Sequence, residues 1–343
     1  MAADILDELL ERFAATGPEF NGGLSNHGPM AAEALVALGR ADAAAAWSEW
    51  YAERLVEHPA ARNPIDASNW REALGDVGRA GDWIAFFDRE LREHSWQEVL
   101  DAWVARLGPG IMAGATHGIL RTGHAVRTLA AGENASRLRE LAEGLGYWAA
   151  RYQLLPGAVH DPGARRVADA LASVPRIDPS HRRGGLIFEA VKTVAEVDFE
   201  PVINYVTTSD DGDFVSDLTR TFVRQYLANA GHAFIPFIHS VTAPSMLRIL
   251  APHLSDATRD AAMRYAWQAC ASIYSTYSNA EPALVPTLTA AADFDEADLT
   301  DRAVATRDEH GIKFTEACLR EYHVTGDAAF VAAAQDIVVR LRR

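Results

Sequence analysis

The chain has 343 residues (37.3 kDa), with 32 basic and 47 acidic side chains and a formal net charge of −15 at pH 7. A pI near 5.2 without any Lys/Arg cluster excludes the basic surface field that nucleic-acid backbone or anionic lipid demands. With 49% apolar and 23% charged residues the composition predicts a sizeable core and excludes a disordered chain.

Apolar residues at three- and four-residue spacing predict helices over 29–40, 43–56, 96–107, 135–152, 188–197, 214–230, 257–278 and 327–341. Breakers fall between them: Gly17-Pro18, Gly108-Pro109-Gly110, Leu155-Pro156-Gly157, Asp161-Pro162-Gly163 and the stretch 282–286. No run alternates apolar and polar residues between hairpin turns, and no fixed repeat period occurs. The expected fold is all-α, a single compact multi-helix domain over 1–343. No stretch of 18 apolar residues is present, and Asp4, Asp7, Glu8 and Glu11 occupy a start where a signal peptide needs basic and apolar residues, so a cytoplasmic protein without membrane association is expected. Cys270 and Cys318, far apart, fit a reducing compartment and read as small core residues.

Common catalytic motifs are absent. Asp210-Asp211-Gly212-Asp213 and the acidic run 293–298 lack EF-hand spacing and read as solvated loops. Gly108, Gly110 and Gly114 lack the preceding strand of a dinucleotide fingerprint and read as a loop entering a helix. No Walker loop, G-x-S-x-G elbow, H-E-x-x-H or C-x-x-C occurs.

The twelve histidines fall into two groups. His58, His94, His160, His181, His253 and His323 sit among polar residues or at helix ends and read as exposed. His27, His117, His124, His232, His239 and His310 lie mostly among small and apolar residues. One such histidine is ordinarily a buried, hydrogen-bonded core residue. Several neutral imidazoles converging inside a helical bundle are instead what a borderline first-row metal such as iron requires. His310 and Lys313 are three apart, hence on one helix face. Lys313 and Lys192 are the only lysines, every other basic residue being arginine. A buried, neutral Lys313 could add carbon dioxide to give an anionic carbamate ligand. The simpler alternative pairs its ammonium with Glu309 or Glu316.

Asn26-His27 followed by the helix ending Ala37-Leu38-Gly39, Asn69-Trp70-Arg71-Glu72-Ala73-Leu74-Gly75-Asp76, Trp83-Ile84-Ala85-Phe86-Phe87, Gly114 to His117 and Gly123, Phe237-Ile238-His239-Ser240-Val241-Thr242 and His310-Gly311-Ile312-Lys313 succeed one another along nearly the whole chain. In these blocks the sequence resembles the questin oxidase-like family. The resemblance implies a helical oxidoreductase acting on anthraquinone-like aromatic polyketides by oxidative C–C cleavage or Baeyer–Villiger-type oxygen insertion. It further implies non-heme Fe(II), dioxygen as co-substrate, and a ligand set of His27, His117, His239, His310 and a carboxylated Lys313. An external reductant such as NADPH is compatible with it. Arg121 departs from the family, whose fungal members often have a second histidine four residues after the one matching His117.

His124 and His232 lie seven residues from His117 and His239, about 10 Å along a helix, which takes them out of a shared ligand shell and leaves them as the catalytic candidates, in roles behind the ligands or toward the substrate. Glu309 or Glu316 is the expected carboxylate partner of a ligating imidazole. Two other readings compete with the iron oxygenase. One is a metal-free helical binding protein, the other a cofactor-independent oxygenase in which a histidine deprotonates a phenolic substrate. The expected partner is a small aromatic substrate, and the oligomeric state is left open.

Overall fold

The computed structural model describes residues 2–160, 163–208, 211–279 and 294–342. It is 71% helix, which bears out the all-α expectation. The described residues divide into two compact units: residues 1–154 with 249–259, and residues 155–248 with 260–343.

The first unit begins with α1 (Ala2–Phe13), whose buried Leu6, Leu9, Leu10 and Phe13 recur at helical spacing. A two-stranded antiparallel hairpin follows, β1 (Glu19–Phe20) and β2 (Leu24–Ser25), turned by Asn21, Gly22 and Gly23 at positive φ. The sequence reading missed it because two-residue strands carry no alternation. Next come α2 (Gly28–Ala37), α3 (Ala41–Ala52), α4 (Trp70–Ala73), α5 (Ala80–Glu93) and α6 (Trp96–Leu107). Ser95 and Glu98 close a reciprocal capping box at the start of α6, which explains why its predicted limits coincide with the observed ones. Trp83, Phe86, Phe87 and Trp103 then stack edge-to-face between α5 and α6.

Two long helices complete this unit, α7 (His117–Ala131) and α8 (Ala135–Ala150). They approach closely because each offers a glycine to the other: a Cβ on Gly118 would lie 2.7 Å from Trp148, and one on Gly144 2.9 Å from the Thr122 amide. The same interface buries charge. Arg121 forks onto Glu140 (Nε–Oε1 2.6 Å, Nη2–Oε2 2.8 Å), and Glu143 accepts from His58 at 2.9 Å. His58 is therefore half-buried in an ion network rather than exposed, and His253 is half-buried against Trp96.

The second unit contains α9 (Val167–Leu171), α10 (Ile187–Ala190), α11 (Asp211–Leu250), α12 (Asp256–Tyr277), α13 (Glu296–Ala305), α14 (Glu309–Thr325) and α15 (Ala328–Arg340). The ends of α11 and α12 that meet at 249–259 belong to the first unit. The helix expected over 188–197 is split, α10 passing into a 3₁₀ segment at Val191–Glu196. The helix expected over 214–230 continues to Leu250 through a kink at Ala233 (φ −143°, ψ 38°), three residues before Pro236. Pro244 also lacks an N–H for the Ser240 carbonyl, and the buried Cys270 thiol donates to that oxygen instead (3.4 Å). Burial pushes both thiols up, in keeping with core roles.

By length and composition α11 could cross a membrane, yet 72% of its most apolar window is buried inside the structure, as a core helix requires. The described residues of the acidic runs lead into helices rather than forming separate loops. Asp211 opens α11, and Asp295 caps α13 by accepting from Ala297 and Asp298 amides. Asp308 and Asp327 cap α14 and α15 in the same way. Asp161, Pro162, Asp210, Asp293 and the breaker stretch 282–286 lie outside the described residues.

Candidate metal centre

In the first unit, His27 is the residue before α2, and Pro29 in the first turn supplies a backbone already set for helix. Its approach is fixed on both sides. Asn26 donates to Thr16 Oγ1 and the Gly17 carbonyl and accepts from the Gly28 amide, while the His27 amide donates to Tyr51 Oη at 2.9 Å. His117 opens α7 after three successive residues at positive φ, Gly114 (53°), Ala115 (59°) and Thr116 (70°). This left-handed turn presents the Gly114 carbonyl to His117 Nδ1. The rings of His27 and His117 lie 4.5 Å apart, centroid to centroid.

Tyr147 of α8 stands behind both loops. It donates to Glu19 Oε1 (2.8 Å) and accepts from Ser25 Oγ (2.7 Å), two residues before His27. A Cβ on Gly114 would meet its Oη at 2.5 Å, so no other residue fits there without displacing the phenol. Burial and the Glu19 charge hold Tyr147 well above the usual phenol range, hence neutral.

In the second unit, His239 of α11 is buried and donates Nδ1–H to the Ile235 carbonyl (2.8 Å). Burial, with the charges of His310 and Lys313, depresses its pKa to about 3 against the raising effect of that bond, so the imidazole is neutral. His310 sits in the first turn of α14, where Asp308 accepts both its amide (2.9 Å) and its Nδ1 (3.1 Å). The rings of His239 and His310 are 6.0 Å apart. One turn further along α14, Lys313 is only 5% exposed, and burial lowers its amine to about 8 even though Glu309 and Asp308 favour the charged form. Lys192, by contrast, is an exposed lysine paired with Glu189 at 2.8 Å.

The structure thus brings His27 to His117, and His239 and Lys313 to His310. Three of the four imidazoles share one tautomer: Nδ1 of His117, His239 and His310 each meets an oxygen acceptor, which leaves the lone pair on Nε2. Imidazoles with Nδ1 so fixed, beside a buried lysine whose amine is lowered to about 8, fit a first-row metal.

A model of the questin oxidase-like family matches residues 24–318. The chain belongs to the questin oxidase-like family. Its members are described as oxidase-like, and the matched span contains all five candidate ligands of this family member. No curated protein matches the chain.

The remaining candidates separate. His124 is buried and hydrogen-bonded through Nδ1 to Glu33 Oε2 (2.6 Å), and Glu33 is clasped by Arg127 (Nε–Oε1 2.7 Å). His232, expected among apolar residues, is exposed beside the α11 kink, its ring nitrogens on the Tyr277 carbonyl (2.9 Å) and Asn279 (3.0 Å). Small and apolar sequence neighbours do not bury it, because it sits on the exposed side next to the kink at Ala233. Asp308, the N-cap acid of α14, is the carboxylate that meets His310 Nδ1 (3.1 Å); a Glu309 carboxylate oxygen also lies within 4.8 Å of a His310 ring nitrogen, while Glu316 is engaged by Arg320 (3.0 Å). Glu33, Thr116 and Tyr147 were missed by sequence reasoning. Glu33 could have been suspected as an acid within an otherwise apolar helix.

Proposed function

We propose that this questin oxidase-like protein is a non-heme iron oxygenase of an anthraquinone-like aromatic substrate, with His27, His117, His239, His310 and carboxylated Lys313 as the iron ligands. The observation that carries this reading is the shared tautomer, since imidazoles that ligate metals donate their other nitrogen to a carbonyl or carboxylate. Ferrous iron, when bound, supplies the reactivity toward dioxygen that amino-acid side chains lack. The buried Lys313 amine serves as the source of an anionic oxygen ligand: its nitrogen lone pair bonds to the carbon of carbon dioxide, a proton leaves, and a carbamate results. His124 handles the substrate's phenolic proton, with Glu33 holding its Nδ1–H so that Nε2 is the base. His232, exposed and tied to Tyr277 and Asn279, has no part in this role.

The electron count separates the two oxidative outcomes. Cleavage that places both oxygen atoms in the product needs no external electrons. Insertion of one atom releases the other as water and consumes two electrons, delivered as a hydride by a donor such as NADPH, together with one further proton. Oxygen uptake measured against NADPH consumption distinguishes them. Metal analysis of freshly purified protein, followed by chelation and restoration with ferrous iron, tests the reading as a whole. Uptake should stop with the chelator and return with iron.

The His124–Glu33 pair specifically favours one alternative, the cofactor-independent oxygenase with a histidine base. Full activity after complete demetallation would select it over iron. A protein that binds an aromatic compound but holds no metal and consumes no oxygen would instead be a binding protein.

A further inference from the structure

The N-terminus of α7 has a feature that metal ligation leaves unused. Thr116, the residue capping the helix, makes no side-chain bond to the first turn. It is 1% exposed, and its Oγ1 has no hydrogen-bond partner among the described residues. A hydroxyl in that state is costly to bury, and threonine at φ +70° adds backbone strain. The helix behind it is 15 residues long with no acid in its first turn, so no carboxylate offsets the positive end of its dipole, while its His117 and Gly118 amides donate to the Gly114 and Ala113 carbonyls (both 3.4 Å). A buried donor on the capping residue of such a helix is suited to an anionic oxygen.

We propose that Thr116 Oγ1, at the positive end of the α7 dipole, binds the phenolate oxygen of the aromatic substrate, next to His117. This assignment presupposes the aromatic substrate proposed above. A phenolate has one oxygen to match the single O–H of Thr116. A carboxylate presents two and calls for a fork such as arginine, and Arg121, further along α7, already makes its fork with Glu140. The hydroxyl and the helix end stabilise the anion once the phenolic proton has left.

The test uses full-length, metal-free protein and 4-nitrophenol, whose ionised form alone is strongly coloured. The bound probe should ionise about one pH unit below the free probe, a tenfold preference for the anion. Thr116→Ser should retain the shift. Thr116→Val should weaken binding of the ionised probe about tenfold or more, the scale of a lost hydrogen bond to a charge. Thr116→Gly should do the same while remaining folded, because glycine adopts φ +70° without the clash. Benzoate should compete more weakly than the phenolate.

Unshifted ionisation in the native protein, native affinity in the Val and Gly variants, or benzoate binding as tightly as the phenolate would overturn the proposal. A shifted probe in a protein that never takes up iron would sink the iron reading and leave this site standing. Iron-dependent oxygen uptake without a phenolate shift would do the opposite.

Discussion

Gly114→Ala should damage the protein twice, and the two costs can be measured separately. The first is backbone: φ is +53°, and an L-residue in the left-handed region costs about 1–2 kcal/mol. The second is contact: the new Cβ lies 2.5 Å from Tyr147 Oη, 2.9 Å from Cζ and 3.1 Å from Cε1. The phenol is held at 2.8 Å from Glu19 and 2.7 Å from Ser25, so overlap should add about 1–3 kcal/mol. Tyr147→Phe alone loses those bonds, about 1–3 kcal/mol, but removes the atom nearest the new methyl. The double variant should therefore be at least about 1 kcal/mol more stable than the two single losses predict. Urea unfolding of the four proteins measures this. Because the Gly114 carbonyl orients His117, iron affinity of Gly114→Ala should also fall about 10- to 100-fold. Strict additivity would refute the steric reasoning, and native metal affinity would refute the positioning role of the Gly114 carbonyl.

Arg121→Met should cost about 3–5 kcal/mol by stranding buried Glu140, and adding Glu140→Leu should restore much of it in thermal unfolding, since an apolar pair replaces a broken ionic one. Glu33 would be raised by burial alone, but Arg127's charge and the bonds from His124 and Arg127 outweigh that and lower its pKa below 4.5. The stabilisation is therefore complete above pH 4.5 and lost as pH falls through the lowered value; Glu33→Gln should flatten that part of an acid titration of stability. Lys313→Arg should abolish stoichiometric iron binding, because a guanidinium stays protonated, whereas Lys313→Glu should recover part of it. A lysine serving only as an ion-pair partner gives the reverse order, with Arg tolerated and Glu harmful.

The helical class and several helix limits were legible because amphipathic spacing and caps are local signals, as at Ser95 and Glu98 of α6. Where the chain runs on through a kink, local signals misled: the helix expected to stop at 230 continues to Leu250 past Ala233, and His232, grouped with the buried histidines by its small and apolar sequence neighbours, is exposed. The pairing of His239 with His310 joins residues 71 positions apart, and that of His27 with His117 spans 90, so no spacing rule could find them; the family resemblance singled them out instead. The tautomers were not legible at all, since they depend on carbonyls turned by a left-handed loop at Gly114 and on the capping acid Asp308. Glu33 escaped because its partners, His124 and Arg127, are 91 and 94 residues away.

The return of residues 249–259 to the first unit dictates the order in which the chain can mature. His253 packs on Trp96 with ring centroids 4.8 Å apart, and Ser255 donates its amide to Asp101 at 2.9 Å, so α6 lacks these neighbours until residue 255 has emerged from the ribosome. Residues 1–154 must wait, incomplete, through the synthesis of α9, α10 and α11. A fragment ending at residue 154 would leave the exposed flank of α6 open to chaperones and to other nascent chains. A cut after residue 259 is the earliest that supplies every segment of the first unit.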